Sequence, residues 1–130
     1  MSTPVVDWQT ILSISGFAML GALGRYGCSF LPAIFNIPMG TVLVNVLGSF
    51  LLGFLTAFCV AHPLPPSVKT GLSTGFLGAF TTFSTFSVEN ATLIQEQATF
   101  TAGLNMIGQV VGGIACALLG LHLGARWFQP

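Results

Sequence analysis

The residues best suited to chemistry lie in segment 75–90, GFLGAFTTFSTFSVEN, which combines phenylalanines with glycines and hydroxyl side chains. Its phenylalanines are spaced by 4, 3 and 3 residues, so a continuous helix would place them along one side. In a membrane protein, such a half-polar segment has to face other protein or water, because lipid cannot satisfy exposed polar groups. The segment is therefore predicted to form the functional site.

The composition is that of a membrane protein. The chain has 130 residues, of which 53% are hydrophobic and only 5% are charged, whereas soluble domains carry about 25% charged residues. The formal net charge is zero, and there is neither a basic patch for nucleic acid nor a polybasic cluster for lipid headgroups. The alternative is an apolar soluble domain hidden inside an oligomer.

The length allows four membrane spans and leaves no room for a soluble domain, because a spanning helix needs about 20 residues. We expect an all-α membrane protein with one transmembrane domain over residues 1–130. The predicted spans are about 8–31, 40–61, 69–95 and 102–127. A bundle of this size has a thin core, which favours homo-oligomerisation.

The third span is predicted to be broken near its middle. A continuous helix over residues 69–95 would exceed the hydrocarbon core of about 30 Å. Tilt could absorb the excess, but Gly75, Gly78 and the Thr81–Thr82 pair mark a natural place for a break.

Polar side chains recur at helical spacing in three of the predicted spans. The sets are Thr41, Asn45 and Ser49; Thr81, Thr85 and Glu89; and Asn105 and Gln109, with Gly113 at the next position on the same face. One such stripe would most simply join helices through hydrogen bonds. Three stripes, together with Arg25 inside the first span, favour a polar pathway instead.

The donors along this pathway favour an anion. Hydroxyl and amide groups donate hydrogen bonds, and phenylalanine ring edges carry partial positive charge. A cation path more usually shows rings of carboxylates or carbonyls. Arg25 would attract an anion or pair with Glu89. The residues do not identify the ion.

The few positive charges give a weak preference for orientation. With four spans, Lys69 and Arg126 lie near one side of the membrane and Arg25 lies nearer the other. A chain with so small a bias can insert both ways. That permits an antiparallel homodimer whose two-fold axis lies in the membrane plane.

Three segments resemble the signatures of the Fluc/CrcB fluoride channels: GALGRYG (21–27), GTVLVNVLGSFLLG (40–53) and segment 75–90. The resemblance implies an antiparallel, dual-topology homodimer in the inner cell membrane, with two fluoride pores. It implies passive export of fluoride that entered the cell as HF and became trapped as the ion. The partners implied are the fluoride ion, a second copy of the chain and the bilayer.

The resemblance also implies roles for particular residues. Phe83 and Phe86 are similar to the pore phenylalanines whose ring edges face fluoride, and Asn45 is similar to the pore asparagine of the second span. The pore string also contains Thr82, Ser84 and Thr85. The backbone carbonyls of Gly78 and Thr81 match those that hold a structural sodium ion at the dimer centre. Arg25 matches a vestibule or structural position, and Glu89 matches a family position of less defined role.

The fourth span departs from the family pattern. Many members carry a track of the form Tyr-xxx-Ser there, whereas this chain has Asn105 and Gln109. The track remains hydrogen-bonding and would still line the pore, but its chemistry changes from hydroxyl to amide.

Two other functions fit parts of the pattern. A small proton-coupled multidrug exporter would need an accessible membrane carboxylate, for which Glu89 is the candidate. A non-transporting membrane subunit would use the polar stripes only to join helices. An enzyme is not expected, because the sequence shows no activated nucleophile, metal-ligand cluster or nucleotide-binding loop.

Overall fold

The computed structural model describes residues 6–127, apart from the side chain of Trp127, and is mostly helical. The helices are α1 (Trp8–Cys28), α2 (Met39–Ala61), α3 (Pro66–Thr70), a π-helical segment (Gly71–Leu77), α4 (Gly78–Phe80), α5 (Phe83–Gln95) and α6 (Thr99–Trp127). Two short strands, β1 (Ala33–Ile34) and β2 (Ile37–Pro38), form an antiparallel hairpin between α1 and α2.

Three of the described helices are long and apolar enough to cross a membrane by length and composition. They are α1, α2 and residues Thr99–Arg126 of α6. They coincide with the predicted first, second and fourth spans, which confirms the predicted class of helical membrane protein. The residues of the predicted third span form four helical segments between Pro66 and Gln95, with a break after Phe80.

Helix α1 begins at a side-chain cap and ends at a hairpin. Asp7 accepts hydrogen bonds from the backbone N–H groups of Gln9 (3.0 Å) and Thr10 (3.3 Å). The Thr10 hydroxyl, followed by the Gln9 N–H, holds the pKa of Asp7 below its usual value. The predicted first span ran to residue 31, but the helix stops at Cys28 and the chain then turns through Phe35 and Asn36, both with positive φ. Two such residues match the type I′ turn of tight hairpins.

The helix break lies at Thr81 and Thr82. Thr81 has ψ of 159° and Thr82 has φ of −152°, so the backbone is extended at both residues. The predicted interruption is therefore present at the threonine pair. The preceding turns are widened into the π-helical segment Gly71–Leu77.

Glycines allow the helices to approach one another closely. On α1, a Cβ at Gly21 would overlap the carbonyl oxygen of Phe76, and one at Gly24 would lie 3.3 Å from the ring of Phe80. Between α2 and α6, a Cβ at Gly53 would overlap the carbonyl oxygen of Ala117. The same holds for Gly120 against Phe50. These contacts hold α1 against residues 71–80 and hold α6 against α2.

The interior is unusually polar. Among the described residues, the buried hydrophobic side chains are Val44, Leu77, Phe80, Leu93 and Ala102, and the buried polar ones are Thr41, Thr82, Asn90, Asn105 and Gln109. Many large apolar side chains are instead exposed along α1, α2 and α6. This arrangement suits a lipid environment, in which polar groups must be satisfied inside the protein.

Candidate functional site: the polar interior at the helix break

The side chain of Asn45 binds the backbone at the break through two hydrogen bonds. Its Oδ1 accepts from the Thr82 N–H at 2.8 Å, and its Nδ2 donates to the Thr82 carbonyl at 3.1 Å. In a continuous helix, the N–H of residue 82 would donate to the carbonyl of residue 78. The amide of Asn45 therefore replaces a helical hydrogen bond and stabilises the break.

A cluster of hydroxyls begins α5 on the other side of the break. The Thr82 hydroxyl accepts from the Thr85 N–H at 3.2 Å, which caps the helix. It donates to the Thr85 hydroxyl at 3.0 Å and lies 3.4 Å from that of Ser84. Thr82 is buried, whereas Ser84 and Thr85 are exposed. The cluster therefore runs from the interior to the surface.

Side-chain amides continue the network across three helices. Asn45 donates to Gln109 at 2.8 Å, Gln109 donates to Asn105 at 2.9 Å, and Asn105 donates to Asn90 at 3.1 Å. Asn90 then donates to the carbonyl oxygen of Phe86 at 2.7 Å. The two predicted amides of the fourth span thus belong to one chain with Asn45.

A cavity of about 320 Å³ lies beside this network. Asn45, Thr82, Phe83, Phe86 and Gln109 are among its lining residues, and none of the lining side chains is charged. The rings of Phe83 and Phe86 are 5.8 Å apart at 40°. The cavity therefore combines hydrogen-bonding groups with aromatic rings.

The break divides the phenylalanines into two pairs. Phe76 and Phe80 stack with centroids 5.8 Å apart, and Phe80 is buried against α1. Phe83 is 79% exposed beyond the break. The single row expected of a continuous helix is therefore not formed, because the extended backbone at Thr81 and Thr82 changes the direction of the chain.

Glu89 and Arg25 lie in separate cavities. The Thr41 hydroxyl donates to Glu89 Oε1 at 2.6 Å, and the buried Oε2 has no hydrogen-bond partner within the described part of the chain. Glu89 lines a cavity of about 670 Å³ with Ser84 and Thr85. Arg25 lines another of about 300 Å³, which Thr85 also borders. The alternative in which Arg25 pairs with Glu89 is not the arrangement found.

Comparison with known proteins places this arrangement in a family. Residues 12–121 match the sequence model of the CrcB-like protein family, Camphor Resistance (CrcB). The chain is 41% identical to the fluoride-specific ion channel FluC of Methanocaldococcus jannaschii, over 92% of this chain and 95% of that protein. It is 39% identical to the FluC of Acinetobacter baylyi, over 94% of this chain and 98% of that protein.

This chain belongs to the CrcB family. It is also 40% identical to the FluC of Geobacter metallireducens, over 86% of this chain and 94% of that protein. Family membership and the long apolar helices make it a multi-pass protein of the cell membrane. The resemblance stated from its three signature segments is confirmed.

Two backbone carbonyls of this CrcB protein lose their usual helical partners at the break. The N–H that would serve Gly78 O bonds to Asn45, and the Thr85 N–H that would serve Thr81 O bonds to the Thr82 hydroxyl. Neutral carbonyl oxygens are suitable ligands for a hard monovalent cation. Within residues 6–127, no group of three or more His, Cys, Asp or Glu residues is placed to hold a metal. The donor set at the break therefore fits sodium better than a transition metal.

Asn90 is the last residue of the segment 75–90 that the sequence indicated as the site, but it was not among the residues that were given a role. It lies outside the Thr81, Thr85 and Glu89 stripe, and its partner Asn105 is 15 residues away on another helix. The signal available in the sequence was its place one helical turn after Phe86, where its side chain can reach the Phe86 carbonyl.

Proposed function

We propose that this CrcB protein is a fluoride-selective ion channel through which toxic cytoplasmic fluoride leaves the cell by passive electrodiffusion. The cavity that joins Phe83 and Phe86 to the amides of Asn45 and Gln109 carries the proposal. The relatives named as fluoride-specific channels support it over a multidrug exporter or a silent subunit. No catalytic step is involved, so the protein is a channel and not an enzyme.

The chemistry of the cavity favours an anion that needs strong donors. Its lining has hydroxyls, amides and ring edges but no carboxylate. The exposed hydroxyls of Ser84 and Thr85 line the cavity of Glu89, and Thr85 also lines that of Arg25. Fluoride would pass along this hydroxyl cluster and the two phenylalanine rings, with Arg25 drawing anions toward one entrance.

The two amides of α6 would act differently. Gln109 lines the cavity and can meet the ion, whereas Asn105 is only 2% exposed and does not line it. Asn105 would therefore support Gln109 through their hydrogen bond, which modifies the direct pore role expected for both.

The protein would work as an antiparallel, dual-topology homodimer with two pores. Phe83 is 79% exposed, and Gly78, Ser84 and Thr85 are exposed beside it. In a single chain this partly polar surface would face lipid, which cannot satisfy it. A second copy would cover it. In this arrangement residues 66–95 cross the membrane as the third of four spans.

A structural sodium ion would occupy the dimer centre. The carbonyls of Gly78 and Thr81 from each copy would hold it, since the break frees them from helical hydrogen bonds. The ion would offset the repulsion between the partial negative charges of carbonyl oxygens that face one another across the two-fold axis. It would take no part in fluoride transfer.

The proposal is tested by fluoride efflux from proteoliposomes, read with a fluoride electrode and compared with chloride efflux. We expect fast fluoride release without chloride release. Replacing Phe83 by Ile should slow fluoride release by about tenfold or more, which corresponds to roughly 1.4 kcal/mol at the barrier. The reason is that an aliphatic side chain has no positive ring edge.

Phe100→Ile is the matched control. Phe100 is 80% exposed on α6 and does not line the cavity, so its replacement should leave release unchanged. Full fluoride release by Phe83→Ile would contradict the ring-edge mechanism. A folded dimer of the unmodified protein that releases no fluoride would contradict the channel itself and favour the subunit alternative.

A further inference from the structure

We infer that one backbone N–H, that of Thr82, sets the direction of the chain of amides formed by Asn45, Gln109, Asn105 and Asn90, and that Asn90 is a positioning residue for Phe86. The effect of Asn90 on the pore rests on the proposed function, whereas the direction of the amide chain rests on hydrogen bonding alone.

The direction is fixed where the chain begins. A side-chain amide has one accepting face and one donating face. Because the Thr82 N–H can only donate, Asn45 must turn its oxygen toward it. The two N–H groups of Asn45 then serve the Thr82 carbonyl and Gln109. Gln109 can therefore meet Asn45 only through its own oxygen.

Each amide fixes the orientation of the next amide in the same way. With its oxygen facing Asn45, Gln109 donates to Asn105, and Asn105 donates to Asn90. The donating face of Asn90 is then left for the carbonyl of Phe86. A reversed chain would put two donors together at Thr82 and two oxygens together at Phe86. Both ends therefore select the same direction.

Burial makes each link of the chain expensive to lose. Asn90 is 4% exposed, Asn105 2% and Gln109 7%. A buried polar group without a partner is costly, and hydrogen bonds in a chain strengthen one another at low dielectric. Asn90 does not line the cavity with Phe83 and Phe86. It therefore acts on the pore through the backbone of Phe86 and not by touching the ion.

A double-mutant cycle tests whether the chain acts as one unit. Asn90→Ser keeps a hydroxyl that can reach the i−4 carbonyl but is too short to reach Asn105. Unfolding by SDS in mixed micelles is measured for Asn45→Ala, Asn90→Ser and the double variant. Although the two residues share no hydrogen bond, we expect their effects on the unfolding equilibrium constant to depart from a simple product by about threefold or more.

Ser87→Ala is the matched control for the cycle. The Ser87 hydroxyl donates to the i−4 carbonyl of Phe83 at 2.8 Å and forms no hydrogen bond to another helix among the described residues. Its effect should multiply with that of Asn45→Ala to within about twofold. If Asn90→Ser does not fold, Asn105→Ser is cycled with Asn45→Ala in its place. Simple products in every cycle would overturn the inference.

A fluorine label separates positioning of Phe86 from general stability. With 4-fluorophenylalanine at position 86, Asn90→Ala, which removes the donor to the Phe86 carbonyl, should move or broaden the ¹⁹F resonance. Ser15→Ala, which removes an exposed i−4 hydrogen bond on α1, should leave it unchanged. In the unlabelled protein, Asn90→Ala should slow fluoride efflux by about threefold or more, and Ser15→Ala should not. An unmoved resonance would overturn the positioning role. Coupling in a protein that releases no fluoride would sustain the amide chain and contradict the proposed function.

Discussion

At the scale of the residue, Thr82 connects the break to the hydroxyl cluster. Its N–H and carbonyl both bind the amide of Asn45, and its side chain caps α5. The neighbouring Thr81 has a simpler role. Its hydroxyl donates to the carbonyl of Leu77 at 2.9 Å, which already accepts from the Thr81 N–H at 3.0 Å. The hydroxyl of Thr82 therefore caps α5, whereas that of Thr81 is a second donor to a carbonyl that already has one.

We expect Thr82→Val to destabilise the protein by about 1 kcal/mol, because it removes a helix cap without changing the shape of the side chain. Thr81→Val should cost less, since the Leu77 carbonyl keeps its backbone donor. The free energy of unfolding in SDS mixed micelles checks both values. Equal losses for the two variants would contradict the capping role of Thr82.

At the scale of the element, backbone contact governs how α2 and α6 pack. Gly53 of α2 and Gly120 of α6 each face a carbonyl oxygen of the other helix. Small residues at such contacts let membrane helices approach until van der Waals packing stabilises the pair. Gly108, also on α6, is different, because a Cβ added there would have no neighbour within 4 Å among the described residues.

Alanine at Gly120 and at Gly108 should have effects of opposite sign. Gly120→Ala would overlap the Phe50 backbone and should destabilise the protein by about 1–3 kcal/mol, as overpacking does. Gly108→Ala should stabilise it by about 0.5–1 kcal/mol, because alanine loses less backbone entropy than glycine in a helix. Thermal unfolding in detergent compares them. Destabilisation by Gly108→Ala as large as that by Gly120→Ala would contradict this packing.

The sequence alone predicts the elements whose causes are local. Hydropathy and length locate α1, α2 and α6, and the glycines with the Thr81–Thr82 pair locate the break. The π-helical segment was not predicted, because its shape depends on contacts with a distant helix. A Cβ at Gly71 would overlap Ser13, and one at Gly75 would lie 2.7 Å from the Ile14 carbonyl.

At the site, too, local features can be predicted from the sequence and contacts between distant residues cannot. Helical spacing shows that Asn105 and Gln109 share a face, but it does not show that Asn45 meets that face or that Asn90 ends the chain. Those pairings join residues 64 and 15 positions apart. They depend on how the helices cross, which one sequence does not reveal. The resemblance to the family predicted a pore role for Asn45, whereas only the structure shows the hydrogen bonds of Asn90.

At the scale of the whole molecule, the surface is apolar and the interior is polar, which suits a lipid solvent. Phe35 lies at the tip of the hairpin and is 89% exposed, and Pro63 lies in the exposed turn between α2 and α3. If four spans cross the membrane, these two residues lie on opposite sides. They therefore report the orientation of each copy.

We expect both orientations in the membrane, because the positive charges of Lys69 and Arg126 on one side only slightly outweigh that of Arg25 on the other. Cysteine is placed at Phe35 or Pro63 after the native cysteines are replaced by alanine. A membrane-impermeant thiol reagent, added to intact cells, should then label about half of the copies at either position.

Added charge provides the control for this experiment. Three lysines inserted after Pro63 should hold that turn on the cytoplasmic side, because positive charge near span ends sets orientation. Labelling at Phe35→Cys should then rise to nearly all copies, and fluoride efflux should fall as antiparallel partners disappear. Co-expression with a chain fixed in the opposite orientation should restore efflux. Complete labelling at one position and none at the other, without added lysines, would contradict dual topology and the antiparallel homodimer that depends on it.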